Sequence, residues 1–389
     1  MMKATIVGWG HTKFGRLDNW SLEDMIVAAT REAIANAGLT ANDIDAAWLG
    51  HFNSGLVADG FCSSMILAAD AALRFKPAIR CENACASGAA ALYSALDSVN
   101  SGRVRVALVV GAEKMTGLDT PGVTKALAGA SYQAEESGLS FPQIFARYAR
   151  AYSRAYSDPQ EGMARIAVKN HANAMRNPLA QMHKAIDLDF ALSISDRNPM
   201  IADPLKLSDC SLISDGAAAL FIVHSDMLSD FRRGVGFRAA EQVNDLLPLS
   251  AKKLEAFEGP RHAFGQAYAM AGISVDEVDF AEVHDCFTIA ELLTMEAMGL
   301  ASEGHASALL AEGQTERSGR LPINLSGGLK AKGHPVGATG VSMHVTAARL
   351  LTGEAGGMNL ERRPNIGLCF NMGGGAVANC VSVLEQVKG

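Results

Sequence analysis

A cysteine in the stretch CENACASGAAAL, residues 81–92, is the first candidate for covalent chemistry. Cys85 stands directly before a run of serine, glycine and alanine that predicts a helix ending near Gly102. Unpaired N–H groups at a helix start favour a thiolate over a thiol and can lower the pKa of a cysteine below its usual value of about 8.5. The position therefore predicts a nucleophilic sulfur at Cys85.

A histidine in the second half of the chain supplies the base that such a sulfur needs. His334 lies in GHPVGATG, residues 333–340, between Gly333 and Pro335 and ahead of a second helix start made of small residues. A histidine beside a cysteine can take the thiol proton and later return it, as covalent acyl transfer requires. We predict that His334 pairs with Cys85.

Two further stretches carry groups suited to the same reaction. EVHDCFTIAELL, residues 282–293, leaves an apolar strand with His284 and Cys286 at its end. NMGGGAV, residues 371–377, is a glycine run whose backbone N–H groups, at Gly373 or Gly374, can approach a reacting carbonyl closely because no side chain projects from them. All these residues are expected at the ends of buried strands, where a shared site would form.

The composition limits the class of protein. The 389 residues are 49% hydrophobic and 19% charged, which is typical of a soluble globular chain with two or more packed units. A net charge of −7 without a Lys/Arg cluster argues against a nucleic-acid binder. Seven cysteines without regular spacing indicate reduced thiols rather than a disulfide framework or a zinc site. Without a signal peptide or a run of about 20 apolar residues, we expect a cytoplasmic protein that does not insert into membranes.

The elements that must position these residues repeat within the chain. AGLTANDIDAAWLGHF at 37–52 resembles AGISVDEVDFAEVHDC at 271–286, and both read as a helix end, an acidic turn and an apolar strand. ALVVGAEKM at 107–115 likewise resembles IGLCFNMGGGAV at 366–377, while SDGAAALFIV at 214–223 adds one strand to the first half. The pattern predicts two related α/β halves with mostly parallel sheets covered by helices on both faces.

A different kind of segment, from about Thr116 to Asp203, separates the strands of the first half and is mostly helical or irregular by pattern. Tyr148, Tyr152 and Tyr156 fall at helical spacing within it. They fit either packing against the core or a lid over the reacting centre. Both interpretations stay open at this point.

Taken together, these motifs resemble those of the thiolase family over essentially the whole chain. The nucleophile motif is Asn83–Gly88, the histidine motif is Gly333–Gly340, and SDGAAAL at 214–220 is another family hallmark. His284–Phe287 and Asn371–Gly373 match the sterol carrier protein type, where common thiolases have Asn-Glu-Ala-Phe and Cys-x-Gly. The stretches 169–181 and 207–220 are similar to that type as well, but we expect no carrier domain.

The resemblance implies a thiolase fold, with two similar βαβαβαββ halves in a five-layered α/β/α/β/α core. We expect residues 1–115 plus 204–232 to form the first half, 116–203 an inserted loop domain over the site, and 233–389 the second half. Homodimers or dimers of dimers are the family norm. A small zinc-ribbon and OB-fold partner accompanies some relatives of this type.

The resemblance also implies a CoA-dependent thiolase that cleaves or forms 3-oxoacyl-CoA through an acyl-enzyme on Cys85. Acyl-CoA and CoA would be substrates, with no tightly bound cofactor and no metal. His284 and His334 would form one oxyanion hole, and the N–H groups of Cys85 and Gly373 or Gly374 the other. Cys286 would be the second acid/base, taking over from the cysteine of the common Cys-x-Gly motif.

Several alternatives remain. A condensing enzyme or C-acyltransferase with another carbon nucleophile would use the same fold and cysteine, whereas a related aldolase branch lacks this nucleophile. A non-catalytic lipid-binding protein would not need the four candidate side chains. The candidate partners for the phosphates of CoA are Arg147, Arg150, Lys169, Arg176 and Lys184, although the pattern around any one of them favours a solvated surface charge.

Overall fold

The first half of the chain begins with alternating strands and helices. A computed structural model describes residues 2–389. Helix α1 begins at Ser21, which forms a capping box with Asp24, and ends at Gly38, whose φ of 72° lies in the left-handed region that glycine tolerates. The elements are β1 (Ala4–His11), α1 (Leu22–Ala37), β2 (Ala46–Gly50), β3 (Ala78–Cys81), α2 (Ser87–Asn100) and β4 (Val106–Glu113).

A helix-rich insertion follows β4, as the sequence predicted. It contains α3 (Thr120–Ala128), α4 (Gln133–Glu136), α5 (Phe141–Ala155), α6 (Gln160–Ala174), α7 (Leu188–Leu192) and the hairpin strands β5 (Met200–Ala202) and β6 (Leu205–Lys206). Strand β7 (Gly216–His224) then returns beside β4 and completes the first half. The domain limits remain predictions, and the expected boundary after residue 203 lies between the two strands of the hairpin.

The second half repeats the order of the first. Its elements are β8 (Gly234–Asn244), α8 (Glu258–Ala271), β9 (Phe280–Glu282), α9 (Thr288–Ala297), α10 (Ala306–Ala311), α11 (Val336–Thr352), β10 (Ile366–Gly373) and β11 (Ala378–Lys388). Helix α8 ends at Gly272 with φ 66°, as α1 ends at Gly38. The predicted internal repeat is therefore present, with α8 corresponding to α1 and α11 to α2.

All strands except the hairpin pair β5 and β6 form one mixed sheet, in the order β3-β2-β4-β7-β1-β8-β11-β10-β9. Its two halves join where Thr5 and Ile6 of β1 pair with Gly236 and Val235 of β8. Pairing is parallel between β2 and its neighbours and between β9 and β10, but antiparallel for β4–β7, β7–β1, β10–β11 and β11–β8. The prediction of mostly parallel sheets is wrong because β11 turns back directly beside β10, and β7 returns beside β4 in the antiparallel direction after the insertion.

Five layers result from the way the helices pack on these two half-sheets. Helix α1 covers β1 and β7 on the outside of the first half, and α8 covers β8 and β11 on the outside of the second. Helices α2 and α11 lie between the half-sheets, where α11 packs against β4 and β7 on one side and β10 and β11 on the other. The predicted thiolase-type α/β/α/β/α core is confirmed.

The two central helices touch at their N-terminal turns because both begin with small residues. A Cβ added to Gly88 of α2 would lie 2.8 Å from the carbonyl oxygen of Gly337 in α11. A Cβ added to Gly340 would lie 2.4 Å from the backbone nitrogen of Ala89. Since Cys85 immediately precedes one helix and His334 the other, this contact brings the two motifs together.

Replacing Gly340 with alanine should destabilise the protein, by about 3 kcal/mol, because the new methyl group overlaps backbone that cannot move aside. The matched control is Gly265→Ala on the exposed face of α8, where an added Cβ meets nothing within 4 Å. Helix propensity should make that change stabilising by about 0.5–1 kcal/mol. Thermal unfolding of both variants tests the contact, and a Gly340→Ala midpoint at or above that of the unchanged protein would contradict it.

Candidate active site

Three of the four predicted side chains meet between the halves. One ligand atom each from Cys85, His284 and His334 lies within 4.8 Å of the other two. Cys85 comes from the turn before α2, His284 from the end of β9, and His334 from the turn before α11. The two imidazole rings stand at 87° to each other with centroids 5.1 Å apart.

The turn that carries Cys85 is held in a strained conformation. Ala84 has φ 50°, a region that residues with a Cβ rarely occupy. The Ser87 hydroxyl supports the turn, because it accepts the Asn83 N–H at 2.9 Å and donates to the Ala84 carbonyl at 2.6 Å. Glu82 accepts the Ala84 N–H at 2.6 Å. The result is a half-buried cysteine presented just before the helix.

Burial decides the protonation of this sulfur. Desolvation raises the pKa of Cys85 to about 12, although the backbone N–H of Gly374 acts in the opposite direction. The nearby carboxylate of Glu113 raises it further. The prediction that the helix start keeps Cys85 as a thiolate is therefore wrong, because desolvation outweighs the N–H groups.

His334 presents an unprotonated nitrogen. The Thr339 hydroxyl donates to the Pro335 carbonyl at 3.0 Å, so its oxygen accepts the Nδ1–H of His334 at 2.7 Å. Nε2 therefore carries the lone pair, and this buried atom has no hydrogen-bond partner within residues 2–389. Burial and the charge of Lys332 lower the pKa of His334 to about 3, which keeps the ring neutral. It is a base with a free lone pair.

His284 has the opposite tautomer. The Asn371 Nδ2 lies 3.1 Å from both the Cys85 carbonyl oxygen and His284 Nδ1. Because a carbonyl can only accept, the amide nitrogen must face both atoms, which leaves the proton of His284 on Nε2. Burial and the neighbouring His334 lower the pKa of His284 well below its usual value. His284 is thus a neutral hydrogen-bond donor. Asn371, which the sequence analysis noted only as part of a motif, is a positioning residue.

A metal ion would fit the cluster by distance, but the donor chemistry fits it less well. A metal needs a lone pair on each ligand atom. Nδ1 of His284 is held by Asn371, and its Nε2 carries the proton. The set suits one base and one hydrogen-bond donor better than a metal ion.

Backbone donors complete the site at the glycine run. The N–H groups of Gly374 and of Cys85 itself both face the sulfur. Gly374 has φ 63°, and a Cβ on Gly373 would lie 2.2 Å from the Asn83 carbonyl oxygen, so both positions require glycine. Of the two glycines left open by the sequence, Gly374 is the one whose N–H faces Cys85.

Cys286 and Asp285 continue the strand end that carries His284. Cys286 is buried outside the three-residue cluster, and burial together with the nearby Cys85 raises its pKa well above the usual value, so it is a protonated thiol. Asp285, for which no role was predicted, accepts the N–H groups of Leu329 at 2.6 Å and Lys330 at 3.1 Å. It thereby fixes the turn of π-helix, Gly328–Lys332, that precedes His334.

The insertion reaches the same place. A cavity of about 440 Å³ beside the cysteine turn is lined by Asn83, Ala84, Gly373 and Gly374 and by Ala130 and Ser131 of the insertion. The insertion therefore forms part of the wall of the cavity next to the site.

Packing accounts for two of the three insertion tyrosines. Tyr148 and Tyr152 are buried, whereas Tyr156 is 36% exposed. Lys169 is wrong as a partner for CoA phosphates, because its buried ammonium pairs with Glu291 at 2.8 Å. The other four candidates are exposed or half-buried, and their contact with CoA stays a prediction: Arg147, Arg150, Arg176 and Lys184.

Comparison with known proteins places this geometry in a family. The model for the thiolase N-terminal domain matches residues 4–226, and that for the thiolase C-terminal domain-like region matches residues 242–386. The chain is 36% identical to an acetyl-CoA acetyltransferase of Methanothermobacter thermautotrophicus, over 99% of this chain and all of the relative. It is 31% identical to sterol carrier protein 2 of Oryctolagus cuniculus, over 96% of this chain and 71% of that protein.

A solved structure, described as an Ltp2-ChsH2(DUF35) aldolase, matches with a TM-score of 0.84 at 25% identity, over 99% of this chain and 98% of that one.

Every helix in residues 2–389 is too short or too polar to traverse a lipid bilayer.

Alkylation of Cys85 by iodoacetamide should accelerate about tenfold per pH unit from pH 7 to pH 10 without reaching a plateau, because a thiol with its pKa raised to about 12 is still largely protonated there. An unperturbed thiol would level off above its pKa of about 8.5. Peptide mass spectrometry identifies the modified residue, with Cys85→Ser as the control. A plateau below pH 9 would contradict the raised pKa.

Proposed function

Because the chain belongs to the thiolase family and is an acyltransferase, we propose that it is a CoA-dependent thiolase, an acetyl-CoA C-acyltransferase acting on 3-oxoacyl-CoA through an acyl-enzyme on Cys85. The supporting observation is the cluster of Cys85, His284 and His334 with opposite histidine tautomers. One ring can accept the thiol proton while the other donates to a developing oxyanion.

In the first half-reaction, the sulfur of Cys85 attacks the 3-keto carbon while Nε2 of His334 takes its proton. Both groups are neutral beforehand, so proton transfer accompanies attack. The N–H groups of Cys85 and Gly374 receive the negative charge on the keto oxygen. The C2–C3 bond then breaks, its electrons form the enolate of acetyl-CoA, and the acyl group remains on sulfur.

The enolate must be protonated at carbon before acetyl-CoA leaves. Its oxygen would accept hydrogen bonds from Nε2–H of His284 and from the newly protonated Nε2 of His334. Cys286, a buried thiol at neutral pH, would donate the proton to C2 and become a thiolate. When CoA attacks the acyl group, Cys286 recovers a proton from the CoA thiol, and His334 returns its proton to Cys85.

A second reaction class has one specific observation behind it. The aldolase neighbour has the same fold over nearly the whole chain, and its description pairs two components. The alternative proposal is therefore a carbon–carbon cleavage without an acyl-enzyme. A variant of it is acyl transfer to another carbon nucleophile, in a complex with a small zinc-ribbon and OB-fold partner. Cys85 with its base favours the thiolase reaction, since aldol cleavage needs no sulfur nucleophile.

Replacing Cys85 with alanine should reduce thiolysis of acetoacetyl-CoA by at least about 10³-fold, because the covalent step is lost. Cys81→Ala, at a half-buried thiol four residues upstream, should retain activity. Intact-mass measurement of the unchanged protein with substrate should show an acyl adduct on Cys85. Turnover without that adduct would instead support the aldolase-type alternative.

Replacing Cys286 with alanine should slow the exchange of acetyl-CoA methyl protons with heavy water by about 10²- to 10⁴-fold, the usual contribution of a positioned acid/base. Acylation of Cys85 by acetyl-CoA should fall far less, because a thiolate leaves without much help from an acid, whereas a carbon acid needs a base. Cys210→Ala, at a neighbouring thiol, serves as the control. Equal loss of exchange and acylation would assign Cys286 a structural role.

A further inference from the structure

The turn that carries Gly374 is held from its outer side by two side chains. The hydroxyl of Tyr148, in insertion helix α5, donates to the Gly375 carbonyl at 2.8 Å. The ammonium of Lys252, in the segment before α8, donates to the same oxygen at 2.9 Å. Both side chains are buried or nearly so. Because a carbonyl oxygen has two lone pairs, its hydrogen-bonding capacity is fully used.

This turn needs external support. It connects β10 to β11 and is closed by the Val377 N–H, which donates to the Gly373 carbonyl at 3.0 Å. Gly374 and Ala376 both have positive φ, 63° and 54°, and the second is unfavourable for alanine. The inner side of the same turn presents the Gly374 N–H to Cys85. The strained turn therefore presents the Gly374 N–H as a donor on its inner side. On its outer side the Gly375 carbonyl accepts both hydrogen bonds from Tyr148 and Lys252.

Helix α5 also packs closely on both parts of the site. A Cβ added to Gly375 would lie 3.5 Å from Ile144 and 3.6 Å from the Tyr148 hydroxyl. Phe145 stacks on Phe287, the residue after Cys286, with centroids 4.6 Å apart. The insertion is thus in a position to set the geometry of the oxyanion hole.

We propose that Tyr148 and Lys252 are positioning residues that hold Gly375 so that the Gly374 N–H points into the oxyanion hole beside Cys85. The inference rests on the proposed function, because the hole matters only if an oxyanion forms there. Neither side chain touches the reacting atoms. Their effect should appear in transition-state stabilisation, and so in kcat rather than in KM.

The test compares two conservative variants on one helix. Tyr148→Phe keeps the ring packing and removes the hydroxyl that bonds Gly375. Tyr152→Phe removes an equally buried hydroxyl of α5 that donates to Glu296 at 2.7 Å, away from the turn. With acetoacetyl-CoA, Tyr148→Phe should lower kcat roughly threefold at unchanged KM, since Lys252 still holds the carbonyl. Tyr152→Phe should retain kcat despite a similar loss in thermal midpoint.

A double variant tests the shared acceptor. Lys252→Met alone should also cost roughly threefold in kcat, but Tyr148→Phe with Lys252→Met should cost about 10²-fold, because the turn is then unheld and one oxyanion donor is lost. Three outcomes would overturn the proposal. They are a double variant whose loss of kcat is only the product of the two single losses, a Tyr152→Phe variant that loses as much kcat as Tyr148→Phe, and a double variant with unchanged kcat.

Alkylation separates this inference from the proposed function. The double variant should react more slowly than the unchanged protein with iodoacetamide at Cys85, because the N–H that stabilises the thiolate has moved away. This readout does not depend on turnover. If the unchanged protein is inactive and forms no acyl adduct, the proposed function is refuted. If the double variant is alkylated at the same rate as the unchanged protein, the positioning role is refuted.

Discussion

The contact between the starts of α2 and α11 is the constraint on which the site depends. Gly88, Gly337 and Gly340 allow the two helices to approach until backbone meets backbone. Each helix is preceded by a turn that carries one reacting group, so the distance between sulfur and imidazole is set by this packing. The duplicated fold gives two equivalent helix starts a common place between the half-sheets, and the sequence places different chemistry at each.

A buried carboxylate secures the same contact from the side. Glu113, at the end of β4, accepts the Gly337 N–H at 3.0 Å and the N–H groups of Phe52 and Asn53 at 2.9 and 3.0 Å. His51 lies 3.0 Å from it. Burial would lower the pKa of His51, but the carboxylate raises it to about 10, so the histidine is charged and the buried negative charge is compensated. Glu113 thus joins the loop after β2 to the first turn of α11, through an ion pair with His51 and a hydrogen bond from the Gly337 N–H.

Much of this arrangement could be predicted from the sequence because it follows from local patterns. Small residues at the starts of α2 and α11, the Ala-Gly helix ends and the repeated apolar strands each indicate an element directly. Their positions at helix starts and strand ends identified Cys85, His284 and His334, and the motif resemblance then supplied their roles. The antiparallel returns of β7 and β11 were missed because an apolar run does not encode strand direction. Lys169 was misjudged because its partner Glu291 is more than a hundred residues away. The pKa of Cys85 depends on desolvation by surrounding groups, which a helix-start pattern does not describe.

Burial determines the protonation states of Cys85 and His334. Desolvation raises the pKa of Cys85 to about 12 and lowers that of His334 to about 3, so a separated thiolate and imidazolium are both disfavoured. Charge separation becomes favourable only when a carbonyl oxygen accepts the negative charge next to the fixed donors of Gly374, Cys85 and His284. The reactivity of the sulfur is therefore linked to occupation of the site. A neutral pair of thiol and imidazole also suits an enzyme with a free cysteine. The thiolate of Cys85 then forms mainly while substrate is bound, and little of it is present at other times.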